Sequence, residues 1–413
     1  TGTLRWDQAG PIDADRVYFG RGPSTGILDV PTGGTLLLGT AADPLSLLGI
    51  SYHDRGRDRN TAGTSSAHLD FTLADPVFEA FTSNLTIGGK MNAYGYGTAN
   101  GSLILGDNSS LHVGTLATPG IVNVGMNQST GWAGVPLSGG DGTGLLDATQ
   151  GNAELHLSEL NVGRHRGYYG TTTGTFTTGD GSVVTTTTAN VGTTSGGIAK
   201  GTVNLQGGLF SANTINLGSG GDFNFTGGRL GLGTFNTYGG IGALEQEGGV
   251  LAPGFSRTQT SLAGQAVING DYLLDSLGTL EIELFGTEAG AEYDQLRVFG
   301  DVDLNADLLA GGTLDLILQF SPEIGDEFLI IDNDALDAVS GCFSGLDEGD
   351  SFSRMFMGSW YTFEISYLGY TGNDVVLRTI EGEPPTTIPA PGAIVLAVIG
   401  AGIVSRLQRR RLL

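Results

Sequence analysis

The chain has 413 residues, 71 of them glycine, and charged residues make up 15 % of it, against the roughly 25 % usual for soluble domains. A hydrophobic share of 39 % still supplies a core, which excludes a simply disordered chain, while so much Gly, Thr and Asn disfavours helices and suits short strands joined by tight turns. A formal charge of −24 repels nucleic acid and anionic polymers, so DNA, RNA and heparin-like partners are excluded, whereas divalent cations are attracted.

The start, Thr1-Gly2-Thr3-Leu4-Arg5-Trp6-Asp7, carries no basic-then-apolar leader, and a secretory signal is expected on the full-length gene product, already removed. In the first hundred residues, Thr35-Leu36-Leu37-Leu38-Gly39 and Leu85-Thr86-Ile87-Gly88-Gly89 have the form of strands running into glycine corners. Between them, Tyr52 to Asn60 is a highly charged insertion, expected as a solvated loop, with a loop that binds carbohydrate or anions as the alternative.

From about 100 to 250 the sequence repeats itself. Asn123-Val124-Gly125, Asn161-Val162-Gly163, Asn190-Val191-Gly192 and Asn216-Leu217-Gly218 form one series. A second begins at Gly174, Gly201 and Gly221, with steps of 27 and 20 residues, the length that one rung of a parallel β-helix needs. Within each repeat apolar and polar residues alternate, as in Val203/Leu205 against Asn204/Gln206 and Phe223/Phe225 against Asn224/Thr226. Such strands point one set inward and the other outward. Stacked rungs would bury a continuous apolar column, with glycine taking the positive φ that the corners require. The expected fold is therefore all-β: residues 1–250 as a β-solenoid, a right-handed parallel β-helix, with an antiparallel sandwich as the competing architecture.

Beyond 250 the strands lengthen. Thr279 to Leu284, Val302 to Leu308 and Thr313 to Phe320 alternate, and their polar faces are acidic, which places those faces in water. Residues 251–380 are expected to continue or cap the solenoid. Asp332, Asn333, Asp334 and Asp337 put oxygen donors at close spacing and form a calcium candidate, against the alternative of an Asx-rich turn. The one cysteine, Cys342, excludes an internal disulfide and reads as a buried or half-buried small residue and not as a nucleophile. The five histidines (His53, His68, His112, His156 and His165) are dispersed and form no recognised ligand pair. Five segments in this block, among them Gly249-Val250-Leu251-Ala252-Pro253-Gly254, Glu292-Tyr293-Asp294-Gln295-Leu296 and Gly372-Asn373-Asp374-Val375-Val376-Leu377, resemble the terminal part of autotransporter-type Gly-rich β-helix proteins. The resemblance implies a β-helix and no activity.

Residues 381–388 are a Pro/Thr-rich linker. Pro389-Ala390-Pro391-Gly392 follows, then an apolar run from Ala393 to Val404, then Arg406, Arg409, Arg410 and Arg411. Residues 389–413 are expected as a proline motif, one short transmembrane helix and an arginine end held on the cytoplasmic side. This layout resembles the PEP-CTERM sorting signal of Gram-negative bacteria, with Pro389-Ala390-Pro391 where that family has Pro-Glu-Pro. The resemblance implies recognition by an exosortase-type membrane transpeptidase and delivery to the envelope or matrix.

No Gly-x-Ser-x-Gly, His-Glu-x-x-His or Walker motif occurs. Asp54, Asp58 and Asp70 are conceivable catalytic carboxylates but read better as solvated loop acids. The expected function is an exported surface or matrix protein, structural or adhesive, without catalysis or cofactor unless calcium binds. Exopolysaccharide or copies of the chain itself are its expected partners. A polysaccharide lyase or glycosidase on a β-helix is the alternative.

Overall fold

The computed structural model describes residues 1–5, 10–54, 63–91, 97–128, 140–167, 170–256, 263–334 and 337–382. Alternation of apolar and polar residues builds strands almost throughout. Among the described residues the one helical element is a three-residue 3-10 turn, Tyr238–Gly240. The strands stack into three long parallel ladders, as the rungs of a β-solenoid do.

One rung illustrates the path. Thr171–Thr178 lies on the first face; after a short turn, Ser182–Val191 crosses the second and third faces; then Ile198–Leu205 lands beside Thr171–Thr178 and begins the next rung. The first face holds eleven strands, all parallel, from Gly2–Arg5 to Val302–Asp303. At about 4.8 Å per strand the stack is roughly 48 Å tall. In the middle rungs the second and third faces share one strand, and pairing skips a single residue where that strand bends, at Ser158, Thr187 and Asn213. Elsewhere separate strands serve them, such as Val77–Thr82 and Asn84–Lys90.

Inward residues form one continuous core from Phe19 to Leu377. Phe223 sits edge-on between Phe210 and Phe235, with ring centroids 5.7 and 6.0 Å away. The repeats legible in the sequence fall in register. Asn123, Asn161, Asn190 and Asn216 are mutual neighbours on the third face, and Gly174, Gly201 and Gly221 on the first. The asparagines follow the inward valines and leucines in alternation, so they face outward and bond to one another. Asn161 Nδ2 donates to Asn123 Oδ1 (2.9 Å), Asn190 to Asn161 (3.1 Å), Asn216 to Asn190 (3.2 Å), Asn236 to Asn216 (2.9 Å) and Asn269 to Asn236 (2.6 Å). Each amide is donor and acceptor at once, so a stack of them satisfies itself rung by rung.

Two glycine columns meet at the corner between the third and first faces. Gly125, Gly163 and Gly192 turn there with φ of 64°, 65° and 60°, and Gly144, Gly174 and Gly201 oppose them. A methyl group on Gly163 would overlap the carbonyl of Lys200, and one on Gly174 would overlap the backbones of Val124 and Gly163. Backbone meets backbone here. Side chains would hold the two sheets apart.

The parallel coil continues past Gly249–Pro253 through Gly278–Leu284 and Thr313–Leu318 to Glu327–Asn333. An antiparallel meander, Ser351–Phe356, Ser359–Gly369 and Asp374–Gly382, then closes the end, with its last strand paired antiparallel to Glu327–Asn333. That pairing occupies an edge which would otherwise accept another strand.

One expectation fails in this region. The acidic face of Thr279 to Leu284 is not in water: Glu281 and Glu283 are buried. Residues 285–294 fold back over them, with Leu284 bridged to Tyr293 and the Asp294 N–H donating to the Glu283 carbonyl (2.9 Å). Arg229 grips Glu281 through both nitrogens, at 2.6 and 2.5 Å. Burial raises Glu283 and pushes Asp294 up to about 8, even though the N–H groups of Gly264 and Glu283 donate to Asp294. Alternation fixed which way these acids point, but a fold-back of ten residues covered the face from outside.

Candidate functional site

A concave site lies on the second face, where outward positions of successive rungs stack. Phe81, His112 and Glu154 occupy one register column on Val77–Thr82, Ser109–Val113 and Asn152–Val162. His156, two residues along from Glu154, neighbours Thr185 on the next rung. The His112 ring lies flat on Phe81, with centroids 4.4 Å apart and planes 7° from parallel. Turns at Ala41 to Pro44 and Gly114 to Thr118 rise on either side and make a groove of about 440 Å³. The second turn is knitted by Thr115 and Thr118, whose hydroxyls lie 2.8 Å apart, and Leu116 projects from it 46 % exposed.

Glu154 joins two imidazoles. Its Oε2 lies 3.0 Å from His112 Nδ1 and its Oε1 lies 3.1 Å from His156 Nε2. A carboxylate accepts only, so His112 carries its proton on Nδ1 and His156 on Nε2. His156 Nδ1 then accepts from the Thr185 hydroxyl at 2.9 Å. Partial burial works against ionisation of Glu154, but the hydrogen bonds from His156 and His112 prevail and hold its pKa below the ordinary glutamate value. The site thus offers a fixed anion between two oriented rings, beside an apolar platform. Hydroxyl-bearing ligands suit such a surface: C–H faces pack on Phe81, Pro44 and Leu116, and hydroxyls donate to Glu154. Among the described residues lining the groove Glu154 is the one carboxylate, whereas glycoside hydrolysis uses a pair.

The calcium candidates do not converge. Asp332 faces Arg297, with Oδ2 3.3 Å from Nε. Asn333 points the opposite way and is buried; its Nδ2 donates to the Asp337 carbonyl (3.2 Å), its N–H donates to Asp374 (3.1 Å), and its carbonyl accepts from Asn373 (3.0 Å). Asp334 donates its N–H to the Val298 carbonyl, and the neighbouring Asp337 carboxyl raises the pKa of Asp301. No group of three or more His, Cys, Asp or Glu placed to hold a metal ion occurs among the described residues. Asp54 pairs with Arg21 at 2.5 Å, and Asp70 caps its own turn through the N–H of Thr72 (2.9 Å). Asp58 lies outside the described residues. Cys342 is half-buried, its thiol 3.4 Å from Asp347 Oδ1 and its pKa raised by burial.

Pro389, Ala390, Pro391, Gly392, Arg406, Arg409, Arg410 and Arg411, with the apolar helix expected between them, lie outside the described residues. Among the described residues no helix is long and apolar enough to cross a membrane.

No family model matches the chain, and no curated protein or solved structure matches it either. Its site must therefore be read from its own residues. The histidines were the missed signal. Separated by 9 to 59 positions along the sequence, four of the five fall into two stacks once rungs are laid in register. His112 and His156 meet at Glu154. His53 and His165 bracket Lys90 and Asn127 in a column inside the coil. Each of these four residues stands two places after a corner residue with positive φ: Ser51, Gly88, Gly125 and Gly163. That offset is visible in the sequence once the corner glycines are aligned.

Proposed function

We propose that the chain is a structural protein of the cell surface or extracellular matrix, an elongated solenoid that presents polar ladders along its faces. The coil is assigned a right-handed sense, the hand of about 98 % of parallel crossover connections. The observation that carries this reading is the self-bonded asparagine stack from Asn123 to Asn269, laid along an unbroken core. Such a stack rigidifies a rod and provides no reactive group. Export, adhesion and delivery by an exosortase-type transpeptidase rest on the proline motif, apolar run and arginine end of residues 389–413. The test is cell fractionation, with labelling of intact cells by an antibody against residues 1–382. Surface labelling and an envelope or matrix fraction are expected; a chain found in the cytosol with its arginine end intact would overturn the reading.

The groove at Glu154 favours a second reading, contact with polysaccharide through Phe81, His112 and Glu154. Binding of neutral oligosaccharides on a glycan array, lost about tenfold in Phe81→Ala and Glu154→Gln, is the expected outcome. Release of new reducing ends from the same glycans would instead favour a glycosidase.

A further inference from the structure

The chain contains two lysines, Lys90 and Lys200. Lys200 is exposed, as lysines nearly always are. Lys90 has no exposed surface at all, and it stands between His53 and Asn127 in a polar column inside the coil. Four successive rungs contribute His53, Lys90, Asn127 and His165 to this column, each at most 1 % exposed. Burying that many polar groups is costly unless they do something together.

Their geometry brings an amine to an amide. Lys90 and Asn127 are direct register partners on adjacent parallel strands, so their side chains leave the backbone in the same direction about 4.8 Å apart. Both end at Gly140. A methyl group on Gly140 would overlap Lys90 Cδ and Cε, and the Gly140 carbonyl accepts from Asn127 Nδ2 at 2.7 Å. His165 stands on the far side of the amide, with Nε2 3.4 Å from Asn127 Nδ2. The His165 Nδ1 atom accepts from the Gly167 N–H at 3.0 Å, so in the neutral ring the proton sits on Nε2 and faces the amide nitrogen. An intact amide nitrogen accepts no hydrogen bond. One that has become tetrahedral does.

We infer that Lys90 and Asn127 form an intramolecular amide cross-link, with His165 as the hydrogen-bond donor to the departing nitrogen. Nζ of neutral Lys90 adds to Cγ of Asn127, the Cγ–Nδ2 bond breaks, and Nδ2 leaves as ammonia. His165 Nε2–H hydrogen-bonds the lone pair that appears on Nδ2 as Cγ becomes tetrahedral, and the proton shed by Nζ goes to Nδ2 as it leaves. One carbon–nitrogen bond forms and one breaks, and no oxidant or co-reactant is consumed. Burial supports the step by lowering the Lys90 pKa to about 8, which populates the amine near neutrality, and the product removes an ammonium from the core. Gly140 has to be glycine for the Lys90 side chain to reach this point.

Trypsin reads the bond directly. Arg59 and Arg164 flank a stretch whose one internal tryptic site is Lys90, and an acylated lysine is not cleaved. The folded full chain, then denatured and digested, is expected to yield residues 60–164 as one fragment about 17 Da lighter than its sequence, one ammonia lost. Lys90→Arg and Asn127→Ala should each return the fragments at their unmodified masses, and His165→Phe should lower the linked fraction at least tenfold after equal incubation at pH 7. Quantitative cleavage after Lys90 in the wild-type chain, with Asn127 at its unmodified mass, would overturn the inference. An undiminished linked fraction in His165→Phe would remove His165 from the step.

Discussion

Replacing Gly163 with valine should leave the chain unable to form its middle rungs. Two effects add at this position. Its φ of 65° is one that a β-branched residue rarely adopts, and that alone costs about 1–3 kcal/mol. Steric contact costs more: any Cβ there overlaps the Lys200 carbonyl, which belongs to the next rung's ladder and cannot withdraw without breaking its pairing with Thr173. A combined loss above about 4 kcal/mol is expected, the exceptional end of point-mutation effects. Gly33 separates the two effects. It has nearly the same φ, 70°, and nothing within 4 Å of its would-be Cβ, so Gly33→Val should cost only the conformational part. Urea unfolding followed by far-ultraviolet circular dichroism measures both variants. Equal losses would mean that the glycine corner is needed for its dihedral angles and not for close approach.

Removing one amide from the middle of the asparagine stack should cost more than removing one from its end. Asn161 is 1 % exposed, gives its Nδ2 to Asn123 and takes bonds at Oδ1 from Asn190 (3.1 Å) and Arg164 (2.6 Å). Asn161→Ala strands groups on both neighbouring rungs, each lost partner costing about 1–3 kcal/mol, and a total of about 2–5 kcal/mol is expected. Asn269 closes the series with a single donation to Asn236, so Asn269→Ala should cost about 1 kcal/mol. The midpoint shift at unchanged m-value in urea reports the difference. If the two variants lost the same stability, the amides would be bonding water, not one another.

The sequence made the repeat legible because the corners are chemically strict. A position that must turn at positive φ against another backbone accepts little but glycine, so Gly125, Gly163 and Gly192 recur with their asparagines at a fixed offset. Ser51 shows the limit of that rule. It occupies the same corner at φ 56°, and its hydroxyl compensates by donating to the Ser65 carbonyl (2.8 Å) and accepting from the Asn100 N–H (2.7 Å). A rung that turns without glycine hides from a search for glycine motifs, which is why the first hundred residues looked less regular than they are. A change of character near 250 was legible too, but the expected lengthening of strands does not occur in the coil: short separate strands, such as Gly249–Pro253 and Gln265–Asn269, replace the long bent ones such as Asn152–Val162.

The candidate site was much less legible. Phe81, His112, Glu154 and His156 come from three rungs, and only the register, set by loops of unequal length, brings them together. The same loops defeated the calcium reading from the other side. Asp332 and Asn333 are adjacent in sequence, and for that reason a strand sends them to opposite faces. Closeness along the chain is the wrong guide in a solenoid. Closeness across rungs, about 20 to 45 residues away, is the right one.

Distances between spin labels on one register column test the stacked coil most directly. With Cys342 changed to serine, labels are placed at Thr25 and Thr143, and in a second sample at Thr25 and Lys200. The register from Thr25 runs through Ser66 and Asn100 to Thr143, then through Thr173 to Lys200. Three rungs and five rungs give about 14 and 24 Å, so the second distance should exceed the first by about 10 Å, with narrow distributions, although the sites are 175 residues apart at most. Broad distributions, or a Thr25–Lys200 distance no longer than the Thr25–Thr143 one, would contradict the coil.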